Sequence, residues 1–330
     1  MERLERVVIQ LEECKRFILA GREPYLRLAL LLLDNAAEIL MHRKVTEELQ
    51  HDDFYVKLHR VIDGFQTSPA EKEDLRKQLG YTPLSEKRKK AVAWSFEEKT
   101  KFLSQEKKYI PEPAARVLCY LHRYRNEAYH RDHVRPDSIR PATLLLFEVV
   151  CDLLTYLPAG SWSYSSNGDY SWLGKYGVNA IHNDNQGRGR IIPQLKEGLP
   201  LDIGDLRTSL AAHLNDRIDE IVEGLGFIAE PKAGEEETLK ALQLWSQDRT
   251  RNPYLRDQRF HDFKPRYTMA SLQRWREEIG ELSAIGDKLA LFETFADLEQ
   301  EIEPLEALVS EVVAIVDEAT QLAVDIARGK

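Results

Sequence analysis

The stretch from Pro24 to about His42 restricts the fold more than any other part of the chain. It is apolar nearly all round from Leu26 to Leu33 and has the length of a helix. A helix that is apolar on every side has to be covered on every side, so we predict that it lies at the centre of a helical bundle. Gly21 ends the preceding helix, and a proline at the first turn suits the start of this one.

Helical patterns surround this central stretch. Apolar residues or charge patterns typical of helices predict further helices over these ranges: 3–19, 54–65, 69–79, 85–108, 114–124 and 144–157. The helix over 85–108 is expected to be basic, and the prolines near 111 separate it from the next one. We therefore predict an all-α bundle as the first domain, residues 1–157.

The composition changes after the first domain. Residues 161–172 alternate aromatic and small polar side chains around an Asn-Gly pair, which predicts a small β-hairpin with Gly168 in the left-handed conformation. A three-residue loop would place its four aromatic side chains on one face, and we expect that face to pack rather than to stack on bases. Residues 182–190 are polar and predict a loop. Residues 158–200 therefore form the second predicted segment.

Residues 201–330 are predicted to form a second, acidic helical region. Helical patterns cover 204–224 and 235–248, and apolar residues recur at spacings of four and three from Leu298 to Ile326, as in a coiled-coil seam. Pro304 lies inside the seam and is expected to open a new helix. An intramolecular bundle is the simplest interpretation, and a coiled coil between two chains is the alternative. The predicted fold class is thus all-α, with two helical regions separated by the hairpin segment.

Arg125, Asn126 and His130 form a motif with a recognisable chemistry. RNA can be cleaved without a metal ion when the ribose 2′-hydroxyl attacks the adjacent phosphorus, which needs a base, an acid and cationic donors for the phosphorane. A histidine, whose ordinary pKa is about 6.5, can exchange these protons. An arginine can bind the non-bridging oxygens, and an asparagine can bind phosphate or orient the histidine. These three residues are the candidate catalytic residues.

The motif and the helices around it resemble the HEPN superfamily of small helical ribonucleases, which carry an Arg-x4–6-His motif near the end of a bundle helix. The resemblance covers about residues 20–157 and rests chiefly on 125–130. It implies a metal-independent endoribonuclease that acts in prokaryotic toxin–antitoxin or antiviral defence systems. It also implies that polar residues of the first core helix, such as Asp34, face the catalytic cleft; the alternative is that they are hydrogen-bonded polar groups at the rim of the bundle. A second Arg-x4-His match, Arg256 and His261, lies between prolines that predict turns and is not expected to be catalytic.

Helix geometry predicts that the site needs two chains. Residues four apart share a helix face, whereas Arg125 and His130 are five apart and diverge by about 140°. Two antiparallel copies would surround one cleft with the motif residues of both chains, and the resembling family builds composite sites of this kind. We therefore expect a homodimer in which the two 125–130 segments face each other. Five further residues are expected to support the site: Asp34, His122, Glu127, Tyr129 and Arg131.

Two alternatives to catalysis by this motif remain. Arg125 and His130 can stabilise the C-terminal end of a helix electrostatically, and the bundle would then be a non-catalytic module that binds a nucleotide or a partner protein. A metal site built from His122, His130 and His133 is the other alternative. The first two of these lie two turns apart, about 12 Å along the axis, which is too far for one ion. We therefore expect no metal and no other cofactor.

The net charge of −9 is unevenly distributed. Residues 1–157 carry 27 Lys and Arg against 25 Asp and Glu, whereas residues 158–330 carry 19 against 30. The acidic second half argues against binding of nucleic acid over the whole surface, so RNA contacts are expected in the first half. The expected RNA-binding residues are Lys87, Arg88, Lys89, Lys90, Arg123 and Arg135. The alternative for 87–90 is a solvated helix face.

The cysteines and the apolar runs bear on compartment. Cys14, Cys119 and Cys151 lie in apolar helical patterns without paired spacing, which predicts free thiols in a reducing compartment and no zinc site. The longest apolar run, Leu28–Leu33, is far shorter than a membrane span, and Met1-Glu2-Arg3 begins an amphipathic helix rather than a leader. We expect a cytoplasmic protein whose partners are RNA, a second copy of itself and a regulatory protein on the acidic helical region.

Overall fold

A computed structural model describes the backbone of the 330-residue chain in the ranges 2–130, 136–157, 171–178, 184–199, 201–229, 234–247 and 258–328. Side chains are described in the same ranges apart from 2–4, 127–130, 136–138, 184–188, 258–259 and 327. The chain divides into two compact units, residues 1–201 and residues 202–330.

All the regular structure within the described ranges is helical, which confirms the predicted all-α class. The α-helices described in the first unit are α1 (Glu2–Ala20), α2 (Glu23–Asp63), α3 (Pro69–Gln78), α4 (Glu86–Trp94), α5 (Phe96–Lys101), α6 (Glu112–His130), α7 (Pro136–Tyr156) and α8 (Asp184–Lys196). A π-helical turn at Phe102–Glu106 follows α5, and a 3-10 helix at Ser171–Tyr176 precedes α8.

Helix α2 forms the centre of the first unit, as its apolar run predicts. Leu30 and Leu33 are at most 1% exposed, and α1, α6 and α7 pack against this helix. The prediction was wrong about its length, because α2 continues without a break to Asp63 and includes the residues of the separate helix predicted at 54–65. After Pro24 in its first turn, no proline or glycine occurs before Gly64. A helix of 41 residues spans about 60 Å.

The basic helix predicted over 85–108 is divided at Ser95. The backbone of Ser95 is extended, and its Oγ accepts a hydrogen bond from the Glu98 N–H at 3.3 Å, so Ser95 caps a new helix. Phe96 is the first residue of that helix, α5, and it is buried. The break therefore turns Phe96 toward the core and separates it from the exposed surface of α4.

The predicted β-hairpin at 161–172 is not seen. Residues 161–170 lie outside the described residues, while Ser171 and Trp172 begin a 3-10 helix rather than a strand. The loop predicted at 182–190 is also wrong in its described part, because the chain is helical from Asp184 to Lys196. The buried side chains of Ile191 and Leu195 and contacts with α1 and α7 hold α8 in the first unit.

The second unit is built around two long helices. The α-helices described there are α9 (Ile203–Ile228), α10 (Glu235–Gln247), α11 (Gln258–Asp262), α12 (Met269–Glu281) and α13 (Lys288–Ala327). Helices α9 and α13 pack against each other, with the first half of the predicted seam, Leu298 to Val312, supplying buried residues. Pro304 does not open a new helix but lies inside α13. Because proline has no N–H, the carbonyl one turn earlier lacks its helical partner. Pro304 is exposed, so water can bind that carbonyl.

A glycine allows α9 to approach α13 closely. A Cβ atom at Gly224 would lie 2.6 Å from Cγ1 of Val309, whereas a Cβ at Gly226 on the same helix would meet nothing within 4 Å. We predict that Gly224→Leu destabilises the chain by about 1–3 kcal/mol through overpacking, while Gly226→Leu is neutral or slightly stabilising because leucine favours helices. Urea unfolding of both variants measures this difference, and equal stabilities would contradict it.

Candidate active site

Helix α6 presents the motif at its C-terminal end. One face of this helix is packed against the core by residues that are at most 7% exposed: Ala114, Ala115, Val117, Leu118, Leu121 and Tyr124. This packing fixes the rotation of the helix, so that His122 and Arg125 lie partly buried beside α2, with 22% and 19% of their side chains exposed. Asn126 is also half-buried.

The buried carboxylate of Asp34 contacts both His122 and Arg125 of α6. Asp34 of α2 is 1% exposed, and its Oδ2 accepts a hydrogen bond from Nε of Arg125 at 2.8 Å and a second one from Nη2. Its Oδ1 accepts from Nδ1 of His122 at 2.8 Å. An isolated carboxylate would be very unfavourable in this position, and these donors compensate for its burial. Asp34 therefore holds the first motif residue in a defined orientation.

His122 is fixed from a second side by an aromatic ring. The ring of Phe96 stacks on the imidazole with centroids 3.9 Å apart and planes 8° apart. Because Nδ1 of His122 donates to Asp34, Nε2 is the ring nitrogen of His122 that this contact does not use. Sequence reasoning did not identify Phe96, since its role depends on the break at Ser95 rather than on any motif.

The polar stripe of α2 continues one turn beyond Asp34. Oε1 of Glu38 forms an ion pair with Nζ of Lys99 at 2.9 Å, and Lys99 itself is 3% exposed. Asp34 and Glu38, the acidic residues of this stripe, are thus paired with cations from α6 and α5. Lys99 was also missed from the sequence, because a buried lysine has the same local pattern as an exposed one.

His130, the remaining motif residue, is described only by its backbone. His130 is the last residue of α6, so helical geometry places it about 7.5 Å along the axis and about 140° around it from Arg125. The side chains of Glu127, Tyr129 and His130 and all of Arg131 lie outside the described residues. One copy of α6 therefore directs positions 125 and 130 in different directions.

The predicted RNA-binding cations differ in their surroundings. Arg88 forms ion pairs with Glu98 and Glu106, and Lys89 contacts Asp52 at 2.8 Å. Their charges are therefore used within the chain.

Lys87, Lys90 and Arg123 are exposed, and Arg123 lies 5.7 Å from the ring centroid of Tyr120. Arg135 lies outside the described residues. Of the predicted RNA-binding residues whose side chains the structure describes, Lys87, Lys90 and Arg123 are thus the ones that a phosphate could reach.

The cysteines are poor candidates for nucleophiles or metal ligands. Burial raises the pKa of Cys14, of Cys119 and, to about 12, of Cys151, which keeps these thiols protonated near neutral pH. Among the described residues, no group of three or more His, Cys, Asp or Glu side chains is arranged to hold a metal ion.

The second unit contains a buried titratable cluster. Nε2 of His213 lies 3.2 Å from Oε1 of Glu299, which Arg217 also contacts at 2.7 Å. Burial and the neighbouring carboxylates of Glu306 and Glu303 raise the pKa of Glu299 to about 8. His213, Arg217 and Glu299 are at most 8% exposed, so a substrate has no access to them and their contacts join α9 to α13.

A cavity of about 480 Å³ also lies in the second unit, between α10 and the Pro304–Glu311 part of α13. Lys264 and Arg266 line it, and no histidine is among its described lining residues. His261 of the second Arg-x4-His match is exposed on α11, and Arg256 lies outside the described residues. The cluster around Asp34 is therefore the candidate site, because it combines a motif residue, Arg125, with partial exposure.

Comparisons of this chain with known proteins found no match. No protein-family model, no curated protein and no solved structure matches this chain. In the part of the chain that the structure describes, none of the helices has the length and apolar character needed to cross a membrane.

Proposed function

We propose that the chain is a metal-independent endoribonuclease of HEPN type, with Arg125, Asn126 and His130 as its catalytic residues. The observation that carries the proposal is the contact of Arg125 with Asp34 at the end of α6. An arginine that only stabilises the C-terminal end of its helix electrostatically does not need a buried carboxylate from another helix. Use of this activity as a toxin or in antiviral defence, in the cytoplasm, is part of the same proposal.

The arrangement suits attack by the ribose 2′-hydroxyl. Asp34 engages Nε and Nη2 of Arg125, so Nη1 is the remaining nitrogen for a non-bridging phosphate oxygen. His130, as the general acid–base group, takes the proton from the 2′-hydroxyl as the 2′-oxygen bonds to phosphorus. The P–O5′ bond breaks as the imidazolium so formed returns a proton to the leaving 5′-oxygen. The products are a 2′,3′-cyclic phosphate and a 5′-hydroxyl. Asn126 would bind the phosphate or orient His130 from one turn away.

A homodimer would complete this site. One chain directs positions 125 and 130 about 140° apart, and two antiparallel α6 ends would supply an arginine and a histidine from opposite sides of one cleft. The acidic second unit would then be free to bind a regulatory protein. Light scattering at micromolar concentration tests the dimer, since a monomer would remove the composite site.

The second candidate function is a non-catalytic module that binds a nucleotide or a partner protein. The observation that favours it is that Arg125 is already paired inside the chain and is only 19% exposed, so it has a structural use without any substrate. Under this alternative the motif region would bind a ligand but leave RNA intact.

Incubation of the pure chain with a defined RNA in EDTA distinguishes the two functions. We expect cleavage to persist in EDTA and to yield 2′,3′-cyclic phosphate and 5′-hydroxyl ends, because none of the proposed steps uses a metal ion. A His130→Ala preparation made in parallel controls for contaminating nuclease. Strict dependence on a divalent ion, or 5′-phosphate ends, would contradict the proposed mechanism, and intact RNA would favour the binding module.

A further inference from the structure

Helix α4 carries an exposed face of two lysines and a tryptophan. Lys87, Lys90 and Trp94 are spaced three and four residues apart, so their positions lie within about 60° of one another around the helix. Both lysines are exposed without a carboxylate partner among the described residues, and the Trp94 side chain is 84% exposed. Tryptophan is among the most buried residue types on average, so exposure of this extent calls for an explanation.

Packing of α4 does not account for this face. The helix is held in place by other residues: Val92 is fully buried, Arg88 pairs with Glu98, and Lys89 contacts the buried Asp52 at 2.8 Å. Burial opposes ionisation of Asp52, but hydrogen bonds from Lys89, the Leu84 N–H and Tyr81 lower its pKa below the ordinary value. Residues other than Trp94 therefore hold α4 in place, and the indole is not needed for its packing.

The exposed face lies close to the candidate active site. Trp94 precedes Phe96 by two residues, so their Cα atoms are within about 7 Å of each other. The Phe96 ring stacks on His122 with centroids 3.9 Å apart, and His122 shares Asp34 with Arg125. Single-strand sites hold about 4–16 nucleotides, so a strand bound at Trp94 is long enough to extend past Phe96.

We propose that Lys87, Lys90 and Trp94 hold a single-stranded segment of the RNA, with an unpaired base stacked on the indole and phosphates bound by the two lysines. The proposal rests on RNA being the substrate of the neighbouring site. Stacking on a tryptophan needs a base that is free of a partner, and it tolerates any base because each has a π-face. The face therefore selects unpaired RNA without selecting a sequence, and it positions the strand near Arg125.

Binding to an uncleavable probe tests this face apart from catalysis. The probe is a fluorescein-labelled, 12-nucleotide 2′-O-methyl oligouridylate, which lacks the attacking hydroxyl, and fluorescence anisotropy reports its affinity for the full chain. We expect Trp94→Ala to weaken binding about 5- to 150-fold, as loss of one base–aromatic stack does, and Trp94→Phe to retain most of the affinity. Because Trp94 is exposed, neither variant should alter the unfolding curve.

The lysines have their own signature. The double variant Lys87→Ala, Lys90→Ala should reduce the slope of log Kd against log salt by about 1.4, since each phosphate contact on a single strand contributes about 0.7. Phe54→Ala and Lys57→Ala on α2 are the matched controls, because both residues are exposed but lie outside this face. Both controls should leave the affinity and the salt slope unchanged.

The outcomes separate this proposal from the proposed nuclease function. Equal affinity of Trp94→Ala and the wild-type chain overturns the binding face, even if the wild type cleaves RNA. Weaker binding by Trp94→Ala supports the face, even if the wild type fails to cleave RNA and the nuclease proposal is lost. If the wild-type chain does not bind the probe at low salt, the RNA face is also overturned, and a protein partner becomes its expected occupant.

Discussion

Replacement of His130 by glutamine is expected to lower RNA cleavage by about 10²- to 10⁴-fold, the usual effect of removing a general acid–base group. Glutamine is polar and of similar size, but it cannot take up and release a proton near neutral pH. His130 is the last residue of α6, beyond the residues that pack this helix on the core, so the fold should persist. The rate of cleavage of a defined RNA in EDTA, compared with the unfolding midpoint, measures both effects.

A matched histidine controls for this substitution. His261 belongs to the second Arg-x4-His match, is exposed on α11, and lies in the other unit. His261→Gln should therefore cleave RNA at the wild-type rate. Full activity of His130→Gln would remove His130 from the mechanism, and equal losses in the two variants would indicate a general effect of histidine replacement.

The packing of the bundle was predictable where a helix needs cover on every side. The apolar run of α2 implies a central position, and its residues Leu30 and Leu33 are buried there. Helix α8 was not predictable in this way, because its two glycines and Pro193 favour a loop locally. Burial of Ile191 and Leu195 against neighbouring helices outweighs that preference, and a local sequence pattern does not contain this contribution.

The candidate site was predictable as a set of residue types but not as a set of contacts. Asp34 and Arg125 were both expected near the cleft, yet 91 residues separate them, and helical periodicity does not say which helices lie side by side. The same limit applies to the basic run on α4. Arg88 and Lys89 are used in ion pairs while Lys87 is exposed, a difference that depends on carboxylates from α5 and α2.

Replacement of Arg125 by alanine is expected to cost about 3 kcal/mol of stability as well as RNA cleavage. Asp34 is buried, and removal of its main cationic partner would leave a carboxylate with His122 as its other donor among the described contacts. Breaking a buried pair typically costs about 3–5 kcal/mol, and the low end applies because Arg125 is 19% exposed. Arg76→Ala is the matched control: its pair with Asp63 is more exposed, and its loss should cost less than about 1 kcal/mol.

A double variant separates the structural role of Arg125 from its catalytic role. Asp34→Asn removes the buried charge but retains an oxygen that can accept from Nδ1 of His122, so Asp34→Asn with Arg125→Ala should be destabilised by less than the two single changes added together. Urea unfolding of the four proteins gives this coupling energy, and strict additivity would contradict the buried ion pair.

Cleavage by the same double variant then decides between two roles of Arg125 in the proposed nuclease, binding of the phosphate and support of the end of α6. If Arg125 binds the phosphate, the double variant recovers stability but still fails to cleave RNA, because no guanidinium remains to stabilise the phosphorane. If Arg125 only holds the end of α6 in place, activity should return together with stability. Recovery of cleavage would therefore remove Arg125 from the catalytic residues and leave its contact with Asp34 as a purely structural one.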